Sequence, residues 1–157
     1  MENIEPIFKE GKPMKIFILE DDKERIKEFA SMFEEQILVI ANDSDVANSI
    51  LYYNKFDLIF LDHDLEGKQM CESEGNTGFK VASHIGKSEN FRTNIVIHSY
   101  NMKGANNILK VLSEDINFKG KAIILPFGTF NKNIIYNIGT IINGSENKTP
   151  ILSGERL

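Results

Sequence analysis

The sequence predicts an α/β fold: a five-stranded parallel sheet in the order 2-1-3-4-5, with helices on both faces as a three-layer sandwich. Three observations point there. Short apolar runs alternate with helically spaced segments along the whole chain, and that alternation implies right-handed crossovers between parallel strands. The third run, Leu58 to Leu61, is apolar at every position, as suits a strand covered on both faces. It runs straight into Asp62-His63-Asp64, ionisable groups that are expensive to bury unpaired. A strand that ends in charge belongs at a cleft. In open parallel sheets ligands bind beyond the carboxyl ends of the strands, at the switch point. For this order that point lies between strands one and three.

The elements follow in order. Residues 1–13 are polar, hold Pro6, Gly11 and Pro13, and read as an N-terminal extension to a single domain over 14–142. Lys15–Leu19 is the first strand and ends in Glu20-Asp21-Asp22. Over 23–35, Ile26, Phe29, Ala30 and Phe33 fall on one helix face. Asp21 or Asp22 suits the N-cap and the positive end of that helix. Ile37–Ala41 is the second strand, and Asn42-Asp43-Ser44 caps a helix carrying Val46, Ala47, Ile50 and Leu51. Asp57–Leu65 is the third strand. Glu66–Gly78, a polar loop with three glycines and three acids, is long for a connector and reads as a lid or a disordered insertion. Phe79, Val81, Ala82 and Ile85 mark a helix stopped near Gly86. Asn94–His98 is the fourth strand, running into Ser99-Tyr100-Asn101. Ile108, Leu109, Val111 and Leu112 lie on the next helix. Lys121–Leu125 is the fifth strand and Pro126-Phe127-Gly128 a turn. Ile134, Ile135, Ile138, Ile141 and Ile142 give the last helix, and 143–157 is a flexible polar tail.

Composition sets the outer limits. A chain of 157 residues with 41% hydrophobic and 26% charged residues buries one ordinary core. Its net charge of −5 argues against a broad DNA-binding surface but leaves room for a small nucleotide at a local site. Lone Cys71 forms no internal disulfide, which fits a reducing, cytoplasmic setting. It has no base beside it in sequence, so it is not read as a nucleophile. No apolar run approaches the roughly 18 residues of a membrane span, and the acidic start is no signal peptide.

The topology brings Glu20, Asp21, Asp22, Asp62, His63, Asp64, His98, Ser99 and Asn101 to one edge of the sheet. Carboxylates beside imidazoles suit a divalent metal: Mg²⁺, Mn²⁺ or Zn²⁺. Asp21, Asp62 and Asp64 are the best carboxylate ligands. Strand alternation points Asp62 and Asp64 one way and His63 the other. His63 is then a further catalytic candidate, or lies beneath the site bonded to neighbouring backbone. His98 can ligate metal or act as general acid/base, because imidazole ordinarily titrates near neutrality. Arg25, Ser99 and Asn101 can hold phosphate oxygens, the first through a fork that fits them. Bland readings stand beside these. The acid run also suits a helix N-terminus, Asp62 or Asp64 alone can cap a turn, and Ser99 and Asn101 can cap a helix. Arg25 and His84 can be solvated surface groups, and Phe91, Phe127 and Phe130 packing residues.

Over about residues 14–142 the chain resembles a response-regulator receiver domain, of flavodoxin-like architecture. Glu20-Asp21 matches the receiver acid pair that binds Mg²⁺, Asp62 the phosphoacceptor, and Ser99 the hydroxyl after strand four. It departs at Leu125, which precedes Pro126 where receivers carry Lys. A closer resemblance is to the cyclic-phosphate-processing receiver domains. It rests on Leu19-Glu20-Asp21-Asp22-Lys23-Glu24-Arg25, Leu61-Asp62-His63-Asp64-Leu65, Asn76-Thr77-Gly78 and His98-Ser99-Tyr100-Asn101. That resemblance implies processing of a cyclic phosphate on a nucleotide or RNA end. It also implies Asp62, His63, Asp64 and His98 as catalytic residues and Arg25, Thr77, Ser99 and Asn101 at the substrate. Glu20, Asp21, Asp62 and Asp64 would be at the metal. The expected function is a metal-assisted phosphoesterase. The alternatives are a divergent signalling receiver and a non-catalytic cyclic-nucleotide binder.

Overall fold

The computed structural model describes residues 12–65 and 75–129. Five strands form one parallel sheet: β1 (Lys15–Leu19), β2 (Ile37–Ala41), β3 (Leu58–Leu61), β4 (Asn94–Ile97) and β5 (Ala122–Ile124), in the order β2-β1-β3-β4-β5. Four helices intervene: α1 (Lys23–Met32), α2 (Ser44–Tyr53), α3 (Gly78–Ile85) and α4 (Met102–Glu114). This is the architecture expected from the alternating pattern.

Side-chain alternation along the strands builds two cores. Phe17, Leu19, Ile59, Leu61, Ile95, Ile97 and Ile124 face α2, α3 and α4, against Ala47, Leu51, Val81, Ile85, Ile108 and Leu112. Ile16, Ile18, Leu58, Phe60, Val96 and Ile123 face the other way, against Phe29 and Phe33 of the α1 segment and Phe127. Burying each such side chain contributes roughly 1.5–3 kcal/mol, so this two-sided burial is what holds the sheet. The starts of α1 and α2 are capped as their sequences suggest. Asp22 Oδ1 accepts from Glu24 and Arg25 N–H at 2.9 and 3.1 Å, and Asp43 Oδ1 from Asp45 and Val46 N–H at 2.9 and 3.1 Å.

Several boundaries differ from expectation. The helix expected over 23–35 ends at Met32, because Phe33 leaves the helical region at φ −115° and ψ 34°. Val46, expected on the packed face of α2, is half exposed. Most consequential, the third strand is only Leu58–Leu61 rather than 57–65. The regular strand ends where the apolar run ends. The last helix, residues 1–11 of the N-terminal extension, Cys71, Phe130 and the C-terminal tail lie outside the described residues, as does most of the 66–78 loop. Among the described residues no helix is long and apolar enough to cross a membrane.

Candidate active site

Backbone pairing delivers three side chains to one point. β1 passes into Glu20, β3 into Asp62 and β4 into His98. Glu20 N–H donates to Ala41 O at 3.0 Å, Asp62 N–H to Leu19 O at 3.1 Å and His98 N–H to Leu61 O at 3.0 Å. The sheet ladder therefore continues one residue past each strand and locks these backbones. Glu20 and His98 are fully buried and Asp62 is 4% exposed. One ligand atom from each lies within 4.8 Å of the others. Among the described residues this is the one group of three or more acids, histidines or cysteines so arranged.

Hydrogen bonds fix the cluster. Glu20 Oε2 accepts from Asp21 and Asp22 N–H at 3.0 and 3.1 Å. Glu20 Oε1 accepts from His98 Nε2 at 3.0 Å and from Arg25 Nη1 at 3.4 Å. An ionised carboxylate only accepts, so His98 Nε2 carries a proton in this arrangement. The other ring nitrogen, Nδ1, is buried without a hydrogen-bond partner. The ring packs among Phe29, Phe60 and Phe127, with centroids 5.3, 6.2 and 6.4 Å away. Asp62 Oδ1 accepts from His63 N–H at 2.8 Å, while Oδ2 lies 3.5 Å from Arg25 Nη1. The Arg25 guanidinium also lies over two rings, with Cζ 4.9 Å from the Tyr100 centroid and 5.7 Å from that of Phe127.

This geometry drives the two carboxyls apart. Burial pushes Asp62 up from 3.8 to about 7. His98 pulls against that rise, the Glu20 charge adds to it, and Arg25 and the His63 N–H pull against it. Burial would raise Glu20 too. There the hydrogen bond and charge of His98, the Asp22 N–H and Arg25 outweigh it and hold Glu20 well below its ordinary value. One carboxyl is thus a firm anion and its neighbour a proton-exchanging acid, which is the pattern of acid/base sites.

Asp64 and His63 form a second group. His63 Nδ1 lies 2.7 Å from Asp64 Oδ1, and Asn101 Nδ2 donates to the same oxygen at 3.0 Å. Asn101 Oδ1 meanwhile accepts from Gly104 N–H at 3.0 Å, capping α4. Strand alternation placed Asp62 and Asp64 together with His63 opposed, and the structure corrects this. Asp62 keeps the face of Phe60, one rung past Leu61 and in register with Glu20 and His98. But alternation holds only while the backbone is a strand, and Asp64, beyond the end of β3, turns to His63 instead. Asp21 and Asp64 stand outside the three-ligand group, to which Glu20, Asp62 and His98 belong. Thr77 is buried, forms a backbone bridge with Asp64 and precedes α3. Ser99 is buried and its Oγ accepts from Asn101 N–H at 3.0 Å; of this pair Asn101 caps the helix and Ser99 bonds the cap residue. His84 is exposed.

Three residues at the site carry no site role in the sequence reading, which has Phe127 only as a packing residue and Tyr100 only within the His98–Asn101 motif. Tyr100 and Phe127 flank Arg25, a pairing that nothing local encodes. Gly104 sits in the first turn of α4 against the His63 ring, where a Cβ would stand 2.6 Å from Cδ2 and Nδ1. A glycine inside a helix costs about 1 kcal/mol relative to alanine and so signals a close approach. That signal was present in the sequence.

The fold is that of receiver domains. The receiver domain of sensor histidine kinase PA1611 from Pseudomonas aeruginosa PAO1, with a magnesium ion in its active-site cleft, is 18% identical. It aligns with TM-score 0.62 over 85% of this chain and 100% of that one. A two-component response regulator from Clostridium difficile is 22% identical, with TM-score 0.59 over 86% and 99% of the two chains. The manganese-bound form of response regulator Rcp1 is 17% identical, with TM-score 0.51 over 89% and 99%. At these identities the likeness speaks for the fold. No protein of curated function matches the chain. The sequence profile of the cyclic-phosphate processing receiver domain matches residues 14–114, which include every residue of the two clusters. The chain belongs to the cyclic-phosphate processing receiver domain family.

Proposed function

We propose that Glu20, Asp62 and His98 hold a divalent cation and that the site opens a cyclic phosphodiester on a nucleotide or RNA end. The observation that carries this is the buried group of two carboxylates and an imidazole whose ligand atoms lie within 4.8 Å. The donor set fits a small divalent ion. Ligands at 2.0–2.2 Å from an ion stand roughly 3–4 Å from one another, so the three side chains need close only slightly. Arg25 Nη1, 3.4 and 3.5 Å from the two carboxylates, supplies positive charge there. When bound, the cation supplies Lewis acidity and a water of lowered pKa.

The chain's own groups divide the remaining work. The Arg25 fork receives the phosphoryl oxygens. In the metal-free protein Asp62 is poised at about 7; with a cation bound it would be an ionised ligand, and water held by the cation would give the proton to the alkoxide leaving the opened ring. Glu20 stays ionised; in the metal-free protein it accepts from His98 Nε2, a proton that His98 would give up on taking a cation. His63, Asp64 and Asn101 hold the β3–α3 and β4–α4 loops together beside the reacting groups. Leu125, half-buried against the second core, leaves no cation at the end of β5. Charge compensation therefore falls to Arg25, which favours this reading over a phosphoaccepting receiver.

The test is product analysis of 2′,3′-cyclic mononucleotides incubated with the protein plus Mn²⁺ or Mg²⁺, with chelator, and with the His98→Ala variant. Metal-dependent ring opening that disappears in the folded variant is expected. Full activity with chelator, or in the variant, would remove the assigned site.

A further inference from the structure

We infer that Tyr100 is the platform on which a nucleobase stacks, so the substrate is a nucleoside cyclic phosphate rather than a base-free cyclic diester. This rests on the phosphoesterase reading of the cluster above. Tyr100 lies between buried neighbours: His98, Ser99 and Asn101 are each 5% exposed or less, whereas Tyr100 is 49% exposed. The other exposed large apolar residues among those described are Ile37, Val46, Tyr52, Tyr53 and Ile116, and none follows β1, β3 or β4. Among the described residues Tyr100 is the exposed large apolar side chain at the end of these three strands.

The ring is also held still. Arg25 Cζ sits 4.9 Å from its centroid. Its hydroxyl abuts Gly128, where a Cβ would stand 2.5 Å from the oxygen. Its backbone is pinned on both sides, by His98 N–H to Leu61 O and by Asn101 N–H to Ser99 Oγ. A braced aromatic ring loses little conformational entropy when a ligand stacks on it. The same guanidinium that touches the ring touches Glu20 and Asp62. A phosphate drawn to Arg25 is therefore within one side chain of an aromatic face. Stacking tolerates any base, because every base has a π face. The selectivity is then for a nucleoside over no base, not for one base over another.

The test compares wild type, Tyr100→Ala and Tyr100→Trp on adenosine 2′,3′-cyclic phosphate and on glycerol 1,2-cyclic phosphate. Wild type should show a KM for the nucleotide roughly ten- to a hundredfold below that for the glycerol ester, the range expected of one stacked base. Tyr100→Ala should erase most of that preference, and Tyr100→Trp should keep it. The chain has no tryptophan, so the introduced indole reports alone. Its emission should be quenched by the adenosine ester and not by the glycerol ester. Equal KM values in wild type, equal losses on both esters in Tyr100→Ala, or unquenched emission would each overturn the assignment. If wild type opens neither ring, the phosphoesterase reading fails. In that case nucleotide-selective quenching would still support the platform, and its absence would refute it.

Discussion

Replacing Asp62 by asparagine should stabilise the metal-free protein while removing the chemistry of the site. In the folded protein burial raises the Asp62 carboxyl from 3.8 to about 7. A carboxyl shifted this way keeps its proton longer folded than unfolded. Its contribution to stability is therefore full below about 3.8 and is lost as pH rises through about 7. At 1.36 kcal/mol per pKa unit the gap amounts to about 4 kcal/mol. Asparagine cannot ionise and keeps an oxygen for the His63 N–H, now bonded at 2.8 Å. Its amide nitrogen would face Arg25 Nη1, which now lies 3.5 Å from Oδ2, and two donors facing each other cost part of the gain. The expected net effect is about 1–3 kcal/mol of added stability above neutrality, shrinking toward zero near pH 4. Glu20 works in a lower window: its stabilisation is present above 4.5 and fades as pH falls below that value. The assay is urea denaturation of both proteins with chelator across pH 4.5 to 7.5. A difference that does not grow with pH, or a less stable variant at pH 7.5, would refute the buried-acid account.

Three further outcomes follow from the same geometry. Mn²⁺ binding, followed by calorimetry in buffers of differing ionisation enthalpy, should release at least one proton below about pH 7. Its affinity should rise by up to about tenfold per pH unit until Asp62 has titrated; pH-independent affinity would place the ion elsewhere. Gly104→Ala should lower Tm by several degrees. The new Cβ meets a His63 ring that is fully buried and tied to Asp64, and overpacking of about 1–3 kcal/mol exceeds the helix-propensity gain of about 1 kcal/mol. An unchanged or raised Tm would mean that the ring yields freely. Incubation with a small phosphodonor and Mg²⁺ should leave Asp62 unphosphorylated in intact mass spectra, since Leu125 supplies no cation at the end of β5; stoichiometric incorporation would instead support a signalling receiver.

Local chemistry made most of the fold legible. The fully apolar Leu58–Leu61 run, the alternating strands and helices, and the caps Asp22, Asp43 and Asn101 follow from side-chain period, burial and orphan N–H groups. Each acts within a few residues of itself. Strand order followed as well, because crossover handedness and strand number leave few choices. The residue types at the sheet edge were legible for the same reason. Their pairing was not. Past Asp62 the backbone leaves the sheet, and the period-two rule no longer says where a side chain points. Only the tertiary structure decides that Asp64 turns to His63 and Asn101 rather than staying beside Asp62. It alone brings Glu20 against His98, 78 residues further along the chain, and slides Arg25 between Tyr100 and the two acids. Those contacts depend on distances between elements, set by how the two cores pack, and a one-dimensional pattern carries no such distances.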